Sequence, residues 1–501
     1  MAYEFLSSPA FLTLLLLILL LKSIKLVFSK RVRLPPSPWK LPFIGNLHQI
    51  GSLPHRSLHK LSKKHGPLML IKLGQVPTIV LSSSEMAREA LKTHDLNFAS
   101  RPNVKAADIM LYGNMDLSLA PYGDRWRHLR KITVTNLLSV RRVQSLHASR
   151  EDEVAHLMDK IISQASSSPS EALNMSDLFR CFTIDMLCTS IMGKLTREGM
   201  NERLREMIEE NIVLLGGSNF EDFYPSLTWL ISLLGLDERA KRTFRKWEAV
   251  LSQMIEDHLR RDDGNLKGDN FADILLSLQK VPNTDFTLTN EHIKALLMDM
   301  FVAGTDTTNI SLEWGMAELI RNPQVMKKLQ NELRGIETGK TMLRGDDLSE
   351  MHYLKAVIKE TLRLHPPAPL LLPRETMQSC EIGGYQIHGK TKVIINFWSI
   401  GRDPKFWDNA EEFQPERFMD NPIDFKGLDF DYIPFGAGRR VCPAIQFAVS
   451  NLELALANLV NRFDWKLPDY IKDEKEVDMT EAPGATMRMK KKLYLVPKPR
   501  F

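Results

Sequence analysis

Ten residues near the C-terminus, Phe435-Gly-Ala-Gly-Arg-Arg-Val-Cys-Pro-Ala444, constrain this chain more than any other stretch. Gly436 and Gly438 suit a tight turn in which a side chain would strain the backbone. Pro443 follows Cys442 directly, and Ala444 to Phe463 is rich in Ala, Leu and Val at helical spacing. Proline at the first helical position is a start signal, so the pattern predicts a helix from Pro443 with Cys442 at its cap. There the sulfur faces free backbone N–H groups and the positive end of a helix dipole, with Arg439 and Arg440 alongside. All of these favour thiolate over thiol. A thiolate on a Gly-rich turn suits the axial position of a haem iron. Taken alone, the cysteine also fits an ordinary capped helix with a buried free thiol.

The bulk of the chain sets wide limits. Its 501 residues, 44% of them hydrophobic, can bury a large core. No linker divides them, which favours one large domain behind an anchor over the two or three that length alone suggests. A net charge of +5 is too diffuse to imply nucleic acid as a partner. Four cysteines (Cys181, Cys188, Cys380, Cys442) make no disulfide framework and fit a reducing compartment. No CxxC, CxxCH or HExxH occurs, which argues against zinc sites and covalently attached haem.

The N-terminus reads as a retained membrane anchor. Phe11 to Leu21 is apolar except for Thr13, and Lys22, Lys25, Lys30, Arg31 and Arg33 follow the apolar run. A cleaved secretory signal has its charges first and a small-residue cleavage site after. Positive charge after the span predicts a body on the cytosolic side. The apolar core is short, so its lysines must snorkel. Leu34 to Gly45 carries closely spaced prolines and reads as a stiff spacer.

Leu68–Leu73 and Thr78–Leu81 read as a hairpin around Gly74 and Pro77, and Cys380–Phe397 as a second β-rich patch with Gly383, Gly384 and Gly389 at its turns. Ser163–Ser170 and Arg261–Asn270 read as surface loops. Most of the rest has helical period. Trp126 and Arg130 are four apart and share a helix face; an indole N–H and a guanidinium there can both reach a carboxylate, although a packing Trp beside a surface Arg has the same spacing. A helix is predicted from about Glu291 to Arg321, capped by Asn290 or Thr289 and ended by Pro323. Its stripe Leu297, Met300, Gly304, Thr307, Ser311 shrinks from bulky to small, and Thr305, Thr307 and Thr308 are poor mid-helix residues. Such a narrowing makes room for something flat beside Asp306 and Thr307, or for a closely packed neighbouring helix. Glu360 and Arg363, three apart, form at least a solvated pair.

Phe435, Gly438, Arg440 and Cys442 together resemble the haem-binding signature of the cytochrome P450 family. Ala303-Gly-Thr-Asp-Thr-Thr308 resembles its oxygen-activation motif, and Glu360-Thr-Leu-Arg363 and Pro415-Glu-Arg-Phe418 its remaining core elements. The resemblance spans essentially the whole chain and is nearest to plant microsomal members. It implies a mainly α fold with small β-sheets. Residues 1–30 would be the membrane anchor, 31–46 a basic, proline-rich hinge and 47–501 the haem-thiolate catalytic domain, in the endoplasmic reticulum membrane facing the cytosol. It implies haem b with Cys442 on the iron, and Trp126, Arg130, Arg374 and Arg440 at the propionates. Asp306 and Thr307 would handle protons and dioxygen. Glu360, Arg363 and Arg417 would form a structural network. Electrons would come from NADPH through NADPH–cytochrome P450 reductase. The family normally has Gly at the position of Ala444, which bears on fine tuning of the haem. By family position, Phe220, Phe301, Val302, Leu370, Leu371 and Ala485 would line a pocket for a lipophilic small molecule, a plant specialised metabolite: terpenoid first, then alkaloid or phenylpropanoid. A haem-thiolate isomerase or dehydratase working without reductase, and a non-enzymatic haem carrier or sensor, are the alternatives; the Asp306–Thr307 pair speaks against both.

Overall fold

The computed structural model describes residues 33–167, 171–193, 200–216, 219–235, 237–260, 270–281, 286–335 and 342–500. The anchor expected over 1–30, the first two hinge residues and the polar loop 261–269 lie outside these. Among the described residues, no helix is long and apolar enough to cross a membrane.

A helix of 32 residues, Asn290–Arg321 (α3), organises the rest. The Thr289 side chain accepts from His292 N, and Asn322 and Pro323 close the other end, so both boundaries fall where the cap and breaker residues put them. From Ile310 to Ile320 every residue of α3 is buried, the mark of a central helix covered on all sides. Met175–Met192 (α2), His352–Leu364 (α4) and Ile445–Arg462 (α5) pack around it. Asp124–Ile132 (α1) lies nearer the surface, burying Trp126 and Leu129.

Leu68–Leu73 (β1) and Val76–Leu81 (β2) form the expected hairpin, Leu68 opposite Leu81. Their alternation of Leu, Ile and Val buries one face against Leu58 and Ile394. Arg374–Glu375 (β3) and Lys392–Ile395 (β4) complete a sheet in the order β1-β2-β4-β3, with β2 and β4 parallel. Strands 380–382 and 385–387 pair around Gly383 and Gly384, both at positive φ. A third sheet joins 173–174, 494–499 and 463–466. The serine-rich stretch departs from expectation. A helix, His147–Ser167, runs through most of it. Ile161 and Ala165, four apart, are buried, and Ser167 Oγ donates to the Ser163 carbonyl, so the serines sit on a solvated helix face.

Candidate active site

Gly436 and Gly438 take φ of 72° and 68°, and the turn returns the chain so that Cys442 N donates to the Phe435 carbonyl at 2.9 Å. A Cβ on Gly438 would collide with the Asp95 carboxylate and lie 2.5 Å from the Leu91 carbonyl oxygen. Only glycine fits there.

The cysteine's surroundings correct the sequence reading in three ways. Helix α5 starts at Ile445 with Ala444 as its N-cap, so Pro443 lies in the turn and not in the helix. The arginines beside the cysteine point elsewhere. Arg439 pairs with Asp95 at 3.3 Å. Arg440 donates to the carbonyls of Ala99, Leu117 and Ala120 at 2.7, 3.2 and 2.6 Å. Burial pushes the Cys442 thiol up, against the opposing pull of the Ala444 N–H and the Arg130 charge. The protein alone therefore holds a thiol, and a bound cation is what would keep it as thiolate. Ala444 itself, at φ −100° and ψ 19°, adopts a backbone open to any residue, so its methyl brings no strain.

Four guanidiniums gather above this loop. Arg130, on α1, donates to the Val441 carbonyl at 2.7 Å. Arg374, on β3, donates to the Ala437 carbonyl at 2.8 Å. Arg440 lies over the Trp126 ring, Cζ 4.0 Å from its centroid, while the indole N–H donates to the Leu117 carbonyl at 3.0 Å. Arg101, which no sequence pattern marks, is also buried and donates to Ser118, Leu372 and Pro373 carbonyls. Among the described residues none of the four has a carboxylate within ion-pair distance. Burial depresses all four, Arg374 to about 10 and Arg440 to about 9, with mutual repulsion adding to it at Arg101 and Arg440. Asp116 offsets part of this at Arg101 and Arg440, and Asp95 at Arg374, without forming an ion pair; buried cations so partly compensated favour an added anion. A group with a metal for the sulfur and carboxylates for the arginines, such as iron protoporphyrin, matches both ends of the arrangement.

On α3, Ala303 is exposed and Val302, Gly304 and Thr307 are partly so, while Thr305, Asp306, Thr308 and Asn309 are buried. Thr307 Oγ1 donates back to the Ala303 carbonyl at 2.8 Å. Gly304 serves two purposes, because a Cβ there would come within 3.0 Å of Leu187 on α2; close helix packing is part of why the stripe narrows. Asp306 does not share the face of Thr307. It is buried and its Oδ1 is paired with Arg488.

The expected pocket residues divide. Val302 and Leu371 stay partly exposed, Leu371 at φ 51° beside Gly436. Ala485 faces Gly216, on a segment tied down by Trp314 Nε1 to the Met487 carbonyl at 2.6 Å. Phe301 is fully buried with its ring 6.0 Å from that of Trp247, so it belongs to packing between helices. Phe220 is 52% exposed and stacks on Tyr224. Leu370 packs against the β-sheet cluster.

Glu360 is the shared acceptor of a buried charge network. Glu360 accepts from Arg363 at 2.7 and 2.8 Å and from Arg417 at 3.0 Å. Arg363 also donates to the Gly401, Ala410 and Glu412 carbonyls.

The cytochrome P450 family model matches residues 35–496. Cytochrome P450 71AP13 of Prunus mume is 46% identical over 97% of this chain and 95% of its own length. Premnaspirodiene oxygenase of Hyoscyamus muticus is 43% identical over 99% of each chain. Strychnine-11-hydroxylase of Strychnos nux-vomica is 44% identical over 100% of this chain and 98% of its own. A solved zebrafish cytochrome P450 with progesterone superposes with a TM-score of 0.74 over 89% of this chain and 99% of that one, at 22% identity, a likeness of fold alone. The chain belongs to the cytochrome P450 family, among plant members, and is a haem-thiolate monooxygenase. Haem, dioxygen and a redox partner come with that membership.

Proposed function

We propose that this monooxygenase oxidises a lipophilic plant specialised metabolite with electrons from NADPH, delivered by NADPH–cytochrome P450 reductase. Cys442 would hold the iron of haem b through its sulfur. Arg101, Arg130, Arg374 and Arg440, with Trp126 supporting the Leu117 carbonyl, hold its carboxylates. The bound group supplies the two-electron activation of dioxygen. Thr307 would hold oxygen and water by its hydroxyl, and Asp306, paired with Arg488, would pass protons one residue away. Glu360, Arg363 and Arg417 keep the core in register without touching substrate.

The observation that carries this reading is the cluster of buried guanidiniums around the Cys442 loop, none of which makes an ion pair among the described residues. The pocket draws on Val302, Ala303, Thr307, Leu371 and Ala485, which are apolar or small and favour a lipophilic ligand. A terpenoid is the first substrate class to test, since one relative is named for oxygenating premnaspirodiene; an alkaloid is the next, since another is named for 11-hydroxylating strychnine. For residues 1–30 we propose a single-pass anchor in the endoplasmic reticulum membrane, with 31–46 as hinge and 47–501 as the cytosol-facing catalytic domain. Exposed Trp39, Phe43, Trp229 and Leu233 support a membrane-facing side.

The test is a metabolite screen with purified holoenzyme, reductase and NADPH. Product that needs all three is expected. Product without reductase would replace this reading with an isomerase or dehydratase, and haem binding without any turnover would point to a carrier.

A further inference from the structure

Glu313 lies seven residues beyond Asp306 on α3, close to two turns along and on the same face. It is 5% exposed, and the roles above leave it unused. Its partner is across the helix boundary: Ser176 Oγ, on α2, donates to Glu313 Oε1 and accepts from Leu493 N at 2.9 Å. The charges that face it come from three elements, Arg180 on α2, Arg488 from the C-terminal segment and Asp306 from its own helix. Arg488 is the residue paired with Asp306 Oδ1, so one guanidinium acts on both carboxylates. The second oxygen of Asp306, Oδ2, is buried with no partner. At the outer end, Ser176 adjoins Asp177, which is partly exposed and paired with Lys492 at 2.8 Å and with Arg180 at 3.0 Å.

These groups run from the surface toward the acid beside Thr307, along a stretch of α3 that also buries Thr308, Asn309 and Ser311. We propose that Glu313 is a positioning residue for proton delivery, holding a proton behind Asp306 and reloading from solvent at the Ser176–Asp177 edge. The proposal rests on the monooxygenase reading given above. In each transfer Asp306 first passes its proton on toward the Thr307 side; an O–H bond on Glu313 then breaks and one forms on Asp306 Oδ2 through intervening water, the two residues being about 10 Å apart along the helix. The carboxylate left on Glu313 then takes a proton from solvent, so no charge accumulates. Arg488 steadies whichever carboxylate is ionised. Burial, aided by the charge of Asp306, lifts Glu313 to about 7 against the opposing pull of Ser176, Arg180 and Arg488. A carboxyl in that range can both hold and release a proton at neutral pH.

The experiment uses full-length holoenzyme with reductase and NADPH, measuring NADPH consumed, hydrogen peroxide formed and oxygen taken up, with 7-ethoxycoumarin as a generic probe. Glu313→Gln is expected to keep the red-shifted Soret band of the reduced carbon-monoxide complex and raise peroxide per NADPH. The water- and product-forming rate should fall about tenfold or more. The titration near neutrality in the wild-type rate should disappear, and Glu313→Asp should restore part of it. A Glu313→Gln enzyme with the wild-type peroxide ratio, rate and pH profile overturns the proposal. Should that variant fail to hold haem, Ser176→Ala decides: loss of its hydrogen bond is expected to move the titration to higher pH, and an unmoved titration overturns the proposal. Wild-type enzyme that consumes no NADPH with reductase overturns the monooxygenase reading itself, and this proposal falls with it. The peroxide-to-water ratio needs no turnover of the probe.

Discussion

The guanidinium of Arg440 stacks over the indole of Trp126 at 4.0 Å, and both donate to a single oxygen, the Leu117 carbonyl. The two side chains thus fix the same point of the 116–120 segment, one from 9 residues away in the sequence and the other from 323. Asp299 on α3 clips that segment from a third side, accepting from Leu117 N and Ser118 N at 2.7 and 3.1 Å.

Arg440→Leu is expected to lower haem affinity about tenfold to a hundredfold, the loss of one charge-assisted hydrogen bond with its packing. The haem-free chain should suffer less, because the variant also removes a buried charge that makes no ion pair. Titrating haem into both proteins and following the Soret band checks this; equal affinities would count against a carboxylate at Arg440.

Glu360→Gln is expected to destabilise the fold by about 3–5 kcal/mol, since it strands the fully buried Arg363 with no counter-charge. Adding Arg417→Leu to that background should cost little more, because the shared acceptor is already lost. Denaturant unfolding of the single and double variants measures the non-additivity. Full additivity would mean that the three residues do not act as a unit.

The two glycines of the cysteine turn should respond differently. Gly436→Ala meets open space, its nearest neighbour Leu371 Cδ1 at 3.9 Å, so it brings only the strain of positive φ, about 1–2 kcal/mol. Gly438→Ala meets Asp95 and backbone as well, and should abolish haem retention. Haem content of the purified variants separates the two. Equal retention would show that the turn relaxes freely.

Stability should fall as pH rises toward neutrality. Burial, with the neighbouring Asp116 charge, lifts Asp299 to about 7 from an ordinary 3.8. A carboxyl raised in the fold binds more protons folded than unfolded between those values, so its stabilisation is complete at low pH and is lost on the way to about 7. Glu313 acts in the same direction. Melting temperature measured between about pH 5 and pH 8 should decline, and less steeply in Asp299→Asn. Parallel curves would rule out this contribution.

How much could be read from the chain differs by element. Helix α3 is legible at both ends because Thr289 and Pro323 carry strong local signals. The turn glycines are legible for the same reason. The start of α5 is not: Pro443 is a good first helical residue, yet the sulfur takes the Ala444 N–H and delays the helix to Ile445. Arg101 is invisible in sequence because its acceptors on Leu372 and Pro373 lie 271 and 272 residues away. Arg488 and Glu313 are equally silent, although an acid amid the buried run Ile310–Ile320 is a signal worth weighing. The pairing of Asp306 with Arg488, and not with its neighbour Thr307, follows from helix geometry: consecutive residues point about 100° apart.

The acceptors of Arg440 lie 320 to 341 residues upstream, whereas the Glu360 network closes within 57. During synthesis the network has its partners soon after residue 417 emerges, but the arginine at 440 must find strands of chain made long before. Contacts of such separation form late and slowly. Pulse-labelled hydrogen exchange should therefore protect the 360–417 amides before those of 435–442, leaving an interval in which the cofactor can still enter an open cleft.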